Sequence, residues 1–422
     1  MHHNNIIAGL DIGSSEIRIV VGQKTENADC QNLQIIGAIS SQAKGINKGV
    51  INNIEDATSS ISTCLEKAER LVGVPISSVW VSINDPYIKC EKSKGLIAVG
   101  KSNGEINEED VERAIEAARA MSVPPNYEIL HVLPISYTVD NQDNIHDPIG
   151  MQGIRLEVET LIIQGLSSQV KNLTKAIYRT GLDIEDLVLS PLAIAKAVIT
   201  PKQKDLGAIL VNIGAATTSF AVYEEGKLLH TAVIPIGSEY ITSDIAIGLR
   251  CPFNLAERIK IDYGSANPKL FPKKEELDIR ELAQELSAEG EIETISRKYI
   301  ADIIEARVEE IFEKVDNELK KIDRSGMLPA GVFLAGGGVK LANLVDLVKE
   351  KLRLPVCIST PNEVSTIINK VNNPEFLTAL GLVVWGNKMT ESKNRNKLNF
   401  LNQNTINLGV EKVKKWFSSL MP

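Results

Sequence analysis

Cysteine is scarce in this 422-residue sequence: Cys30, Cys64, Cys90, Cys251 and Cys357 are odd in number, scattered, and form no C-x-x-C pair. That argues against a disulfide scaffold or a structural zinc site and suits a reducing cytoplasm. Long apolar runs are missing as well. No uncharged stretch approaches the roughly 18 to 20 residues needed to span a bilayer, and no basic stretch precedes an apolar run at the N-terminus. The chain is therefore expected to be neither secreted nor membrane-spanning. There is no excess of basic charge, since the net charge is −8. Nucleic-acid binding is not expected, because phosphate contacts need a basic face. No G-x-G-x-x-G occurs, which disfavours a dinucleotide fold.

What is present is a repeat. "LDIGSSEIRIVV" (Leu10 to Val21) and "VNIGAATTSFAVY" (Val211 to Tyr223) share an apolar strand, a polar residue, Ile-Gly, small residues and a second strand. Each reads as a tight β-hairpin whose turn exposes backbone N–H groups. One copy alone is what any hairpin turn needs for backbone reasons. Two copies in corresponding places can instead form a clamp for an anion such as a nucleotide phosphate.

Between them strands alternate with helices, as in "NIEDATSSISTCLEKAERLVG" followed by "SSVWVSI", which is an α/β pattern. Residues 86–161 and 241–312 read as insertions into the two halves. A third glycine cluster, "GVFLAGGGVKLANLVDLVKEKL", reads as strand, glycines and helix, with backbone free to approach a ligand and a helix N-terminus suited to nucleotide oxygens. By itself it can equally be a tight strand-to-helix turn.

Charge is unevenly placed. From Lys388 onward seven Lys/Arg face two Asp/Glu, a net +5, so residues 1–387 carry 39 against 52, a net −13. Residues 388–409 are polar, asparagine-rich and aperiodic, and read as a flexible linker. In 410–422, steps of about 100° gather Val410, Val413, Trp416, Phe417, Leu420 and Met421 on one arc, while Lys412, Lys414 and Lys415 lie on the other. Such a helix, about 18 Å long, cannot cross a bilayer. It can lie in a membrane interface, or dock on its own protein.

In this order the pieces resemble the actin/heat-shock chaperone/sugar kinase ATPase superfamily. The likeness narrows at "EINEEDVERAIEAARAM" and at "DPIGMQGIRLEVE" (Asp147 to Glu159), which look like the inserted subdomain of the bacterial cell-division FtsA family. "GVINNIEDA", "AERIKIDYG", "IEARVEEIF", "FLAGGGVKL" and "TALGLVVWG" extend the resemblance over about residues 5–387.

The resemblance implies an α/β, two-lobed actin-like fold. Its first-lobe core covers 5–85, completed by about 162–204 and 373–387, with an inserted subdomain at 86–161. The second-lobe core covers 205–240 and 313–372, with an appendage at 241–312. It also implies ATP and magnesium as ligands. Asp11 would hold Mg through water, and Gly13, Ser14 and Ser15 would present donors to phosphates. In the second hairpin Asn212, Ala215, Ala216 and Ser219 depart from the superfamily's "D-I-G-G-G-T-T-D", while Gly214 and Thr217 keep the turn. Losing two carboxylates weakens support for a metal-bound water network, so weak or negligible hydrolysis is expected.

Glu257 and Lys260 match the helix that closes over adenine and ribose, though three residues apart they can equally be a surface ion pair. Gly336, Gly337 and Gly338 would line the other side, and Gly237 would border the ribose. Members of the family polymerise, bind the C-terminal peptide of FtsZ on the second-lobe appendage, and tether it to the cytoplasmic side of the inner membrane at the division site. Other division proteins are further implied partners. Arg297 is the residue placed to meet the acidic peptide, with a solvated helix position as the alternative. The 410–422 helix would be the anchor on anionic lipid. Two relatives of the same fold compete: a PilM-type pilus-assembly adaptor and a sugar-kinase-like enzyme.

Overall fold

A computed structural model describes residues 6–27, 30–100, 103–120, 123–286, 294–362, 365–366 and 368–400. The chain opens with β1 (Ile6–Ile12), β2 (Glu16–Asn27) and β3 (Cys30–Gln42), an antiparallel meander. A two-residue-per-strand hairpin, β4 (Ile46–Asn47) and β5 (Val50–Ile51), leads into α1 (Ile54–Val72). Asn53 starts α1 by accepting from the N–H groups of Glu55 and Asp56, and left-handed Gly73 ends it.

The parallel strand β6 (Ser78–Ile83) follows, then β7 (Lys89–Ala98), α2 (Glu108–Arg119), β8 (Tyr127–Val139), β9 (Gln142–Ile145) and β10 (Arg155–Leu166). Strands β7–β10 form their own four-stranded sheet, against which α2 packs a separate apolar core around Val111, Ile115, Leu156 and Val158. An Asn107–Asp110 capping box fixes the start of α2.

After α3 (Ser167–Tyr178) and β11 (Asp183–Leu189), α4 (Ser190–Val198) and α5 (Pro201–Leu206) cross to the second sheet. Apolar nearly all round, α4 is buried between the two sheets. The second meander is β12 (Ala208–Ile213), β13 (Thr218–Glu224) and β14 (Lys227–Ile234). Next come α6 (Ser238–Leu249), α7 (Phe253–Tyr263), β15 (Glu276–Asp278), α8 (Arg280–Glu285), β16 (Thr294–Ser296) and the long α9 (Arg297–Lys321). Strand β17 (Gly331–Ala335), α10 (Leu344–Leu352), β18 (Val356–Ile358), β19 (Ser365–Thr366) and α11 (Leu377–Phe400) complete the order.

The two main sheets repeat one topology. The first runs β11-β6-β1-β2-β3-β19 and the second β14-β13-β12-β17-β18, each an antiparallel meander whose first strand is flanked by two parallel strands. Central β12 is buried at every residue, as a strand covered on both faces must be. The repeat therefore extends beyond the two hairpins to whole lobes.

Two expectations are met differently. Residues 388–400, expected as linker, continue α11, since no glycine or proline interrupts the chain between Gly386 and Phe400 and the helix is anchored by buried Trp385 and Met389. The triple glycine does not enter an α-helix directly. Gly337–Lys340 forms a 3₁₀ turn, and α10 begins only at Leu344. The proposed anchor residues, Val410 to Met421 with their lysines, lie outside the described residues.

Candidate functional site

The two turns are closed in the same way. The Gly13 N–H donates to the Glu16 carbonyl at 3.1 Å, and the Gly214 N–H to the Thr217 carbonyl at 2.9 Å. Each turn leaves donors unspent: the N–H groups of Ser14, Ser15, Ala215 and Ala216 make no hydrogen bond among the described residues. Unsatisfied N–H groups in a turn favour an anion. That is the test of fit for a nucleotide, and these residues pass it.

Asp11 sits at the end of β1, where the Ser82 hydroxyl donates to it at 2.7 Å and Arg18 faces it across the strand pair. Burial pushes its carboxyl above the usual range, and Arg18 and Ser82 oppose that rise. A hydrated divalent cation would suit such a group by restoring the charge balance. At the matching register of the second hairpin stand Asn212 and Ser219, and the Asn212 amide donates to the Ser219 hydroxyl at 3.4 Å. The charged pair of the first hairpin is thus a neutral pair in the second.

The turns meet across a cleft. The Asn84 amide, two residues beyond Ser82, donates to the Thr217 hydroxyl at 2.8 Å. Around the second turn the other candidates converge. The N–H groups of Ser238 and Glu239 at the start of α6 donate to the Gly214 and Ala215 carbonyls at 2.9 and 2.8 Å. Gly237 lies so close that a Cβ there would stand 2.5 Å from the Ala215 oxygen. Gly336 and Gly338 pack on Asn212 and Ile213, whereas Gly337 turns toward open space beside Glu375.

Glu257 and Lys260 do form an ion pair, at 2.7 Å, but not a free surface one. The Lys260 ammonium also donates to the Thr242 hydroxyl at 2.8 Å and the Ser238 carbonyl at 3.4 Å, and Thr242 donates to Glu257. This ties α7 to the start of α6, next to Gly237. Burial, and then Glu257, raise the Glu239 carboxyl, with Lys260 opposing. Asp11, Ser14, the 212–217 hairpin, Gly237, Glu257, Lys260 and two of the three glycines therefore form one connected constellation.

Arg297 stands apart. As the first residue of α9, it pairs with Glu275 at 3.2 Å and lies 4.4 Å from the centre of the Phe271 ring. A groove of about 380 Å³ does run between α6 and α9, lined by Asp244, Ile247, Gly248, Tyr299 and Arg307. Its arginine is Arg307, held by Asp244 at 2.6 and 2.8 Å and by Glu310. Sequence reasoning passed over Arg307, Asn84 and the β4–β5 turn. The one available signal was Arg307's place within "IEARVEEIF".

Lobes of this topology around such a cleft define the class: an actin-like ATPase fold. Two solved structures share it. A chain of the PilM–PilN type IV pilus biogenesis complex matches with a TM-score of 0.65 at 18% identity, covering 90% of this chain and 98% of that one. MreB 5 of Spiroplasma citri bound to AMPPNP matches at 0.54 and 12%, covering 93% and 99%. Two family models narrow the class: "Cell division protein FtsA" matches residues 209–381, and "SHS2 domain inserted in FTSA" matches 86–164.

Whole-chain relatives agree with those models. The cell division protein FtsA of Pseudomonas aeruginosa is 36% identical over 90% of this chain and 89% of its own, and that of Bacillus subtilis 37% over 91% and 84%. The Borreliella burgdorferi protein is 36% identical over 98% of both. The chain belongs to the cell division protein FtsA family.

Proposed function

We propose that this chain binds ATP with magnesium between its two glycine turns, polymerises, and tethers FtsZ filaments to the inner face of the cytoplasmic membrane at the division site. The observation that carries the nucleotide reading is the pair of turns with unspent N–H donors, joined across the cleft by Asn84. Asp11 would hold the metal through water. Glu257, Lys260, Gly237, Gly336, Gly337 and Gly338 would surround the nucleoside. Asn212 in place of an acid favours binding over turnover. The MreB 5 structure bound to AMPPNP supports the choice of ligand.

For the FtsZ peptide, the groove between α6 and α9 is the favoured seat. It offers an arginine to acidic side chains and an apolar wall in Ile247 and Tyr299. An acidic peptide would compete with Asp244 and Glu310 for the Arg307 guanidinium, so Arg307 replaces Arg297 as the expected anchor of recognition.

No helix among the described residues is long and apolar enough to cross a membrane. Attachment would rest on residues 410–422, weak singly and strong in a polymer, where many copies bind one surface. Co-sedimentation with anionic vesicles tests this, comparing the full chain with one ending at Phe400, which keeps all of α11. Equal pelleting of the two would refute the anchor. A titration with the FtsZ C-terminal peptide separates this reading from a pilus adaptor, which would not bind it.

A further inference from the structure

The β4–β5 hairpin occupies a place that no part of the reading above uses. Its two turn residues, Lys48 and Gly49, both have positive φ, 50° and 75°, the primed turn that a two-residue hairpin favours. The turn is wedged between the lobes. On the first-lobe side the Gly49 N–H donates to the Ser14 hydroxyl at 3.0 Å, so the hairpin is fastened to the first phosphate turn. Behind it, Gly49 lies against the Asn84 carbonyl, where a Cβ would come within 2.2 Å. Asn84 in turn carries the bond to Thr217 of the second turn.

Lys48 completes the crossing. Its exposed side chain places the ammonium 5.5 Å from the centre of the Tyr240 ring, in the first turn of α6. That helix start is the one whose N–H groups hold the Gly214 and Ala215 carbonyls. Among the described residues this ammonium has no carboxylate within ion-pair distance. Backbone at one turn and charge beside the other put an exposed cation at the mouth of the space between Ser14 and Thr217. The ring face and hydroxyl of Tyr240 hold this exposed ammonium through neutral contacts, the ring face contributing about 0.5–1 kcal/mol, whereas a phosphate oxygen offers a charge-assisted hydrogen bond of about twice the usual strength.

From this we infer that Lys48 contacts the terminal phosphate of a bound nucleoside triphosphate, leaving Tyr240 for it, and that the β4–β5 turn reads triphosphate against diphosphate. The inference rests on the nucleotide reading and names one further residue of that site. Neutral donors dominate the rest of the phosphate pocket, so a single cation there discriminates by the charge of the last phosphate.

Calorimetric titration of full-length protein with Mg–ATP and with Mg–ADP tests it, using wild type, Lys48→Met and Lys48→Arg. Lys48→Met is expected to weaken ATP binding by about 10- to 100-fold, the worth of one hydrogen bond to a charged group, and to change ADP binding less than about twofold. Lys48→Arg is expected to restore most of the ATP affinity. Thermal unfolding without nucleotide should shift only slightly in Lys48→Met, since the side chain is exposed and gives up little more than its contact with Tyr240. Equal loss for ATP and ADP, or no loss for either, overturns the role of Lys48 while leaving the nucleotide site standing. Wild type that binds neither nucleotide overturns that reading and this one together.

Discussion

Neighbouring glycines in the third cluster should answer the same substitution in opposite ways. Gly336 has φ 89° and ψ 168°, a region essentially reserved for glycine, and a Cβ there would stand 2.4 Å from the Ile213 carbonyl and 2.5 Å from the Asn212 amide oxygen. Both obstacles are rigid, since Ile213 ends a buried strand and Asn212 is itself buried. Gly336→Ala is charged about 1–3 kcal/mol for the backbone and about 1–3 for overpacking, so about 2–6 kcal/mol in all. Against a usual total of 5–15 kcal/mol this is severe. Gly337 is not in the left-handed region, and its Cβ would meet only the Glu375 Cβ at 4.0 Å. Gly337→Ala should therefore cost nothing, and can gain about 0.4–1 kcal/mol by restricting the unfolded chain. Urea unfolding followed by circular dichroism, run with and without ATP, reads both effects. Equal midpoints for Gly336→Ala and wild type, or equal damage at the two positions, would refute the reasoning.

Asn212→Asp restores the missing carboxylate, and steady-state phosphate release should rise above the low wild-type rate; an unchanged rate would detach hydrolysis from this position. Burial holds the His131 imidazole down at about 4, with Nε2 accepting the Leu189 N–H at 3.1 Å. The unfolded chain then binds more protons between about 4 and the ordinary 6.5. Stability falls as pH drops through that window, by about 3 kcal/mol at 1.36 kcal/mol per unit. His131→Gln should lose that part of the acid sensitivity; an undiminished drop in urea midpoint from pH 7 to 4.5 would contradict it. Partial burial, then Lys196 and Lys388, depress the Lys204 amine to about 7, and among the described residues the Tyr223 ring at 4.7 Å is its one compensating contact. Below pH 7 the half-buried cation costs its full share of stability, and the cost fades as pH rises toward 10.5. Lys204→Met should raise the urea midpoint at pH 7 and by less at pH 10, and a pH-independent gain would assign the effect to packing.

The two hairpins were legible because each strand, glycine and small-residue turn is a local choice, and duplication made them informative. The ends of α1 and α2 were equally local, marked by Asn53, Gly73 and Asn107. What sequence could not show was which groups tertiary packing brings together. Asn84 is 133 residues from Thr217, and Lys48 reaches a ring on another lobe. Arg297 and Arg307 share one helix, but ten positions at about 100° each put them on different faces, and only packing against α6 decides which meets the groove. Residues 388–400 lacked an amphipathic period, yet a helix already held at Trp385 and Met389 can continue without one.

The break in symmetry between the hairpins explains more than either hairpin alone. At one register the first holds Asp11 opposite Arg18, and the second holds Asn212 opposite Ser219. A carboxylate responds to a bound metal, while the guanidinium beside it is held by Glu16 at 2.6 Å. An amide and a hydroxyl respond as dipoles, which cost less to bury and reward less when a charge arrives. In the proposed complex the first lobe would supply every formal charge at the phosphates, Asp11 for the metal and Lys48 for the last phosphate, while the second lobe would supply N–H groups and Thr217. Closing the lobes would then strengthen binding without assembling a charged catalytic group from the second side. Such a cleft suits a nucleotide held as a switch for assembly, and it makes the Asn212→Asp rate the measurement on which that view stands or falls.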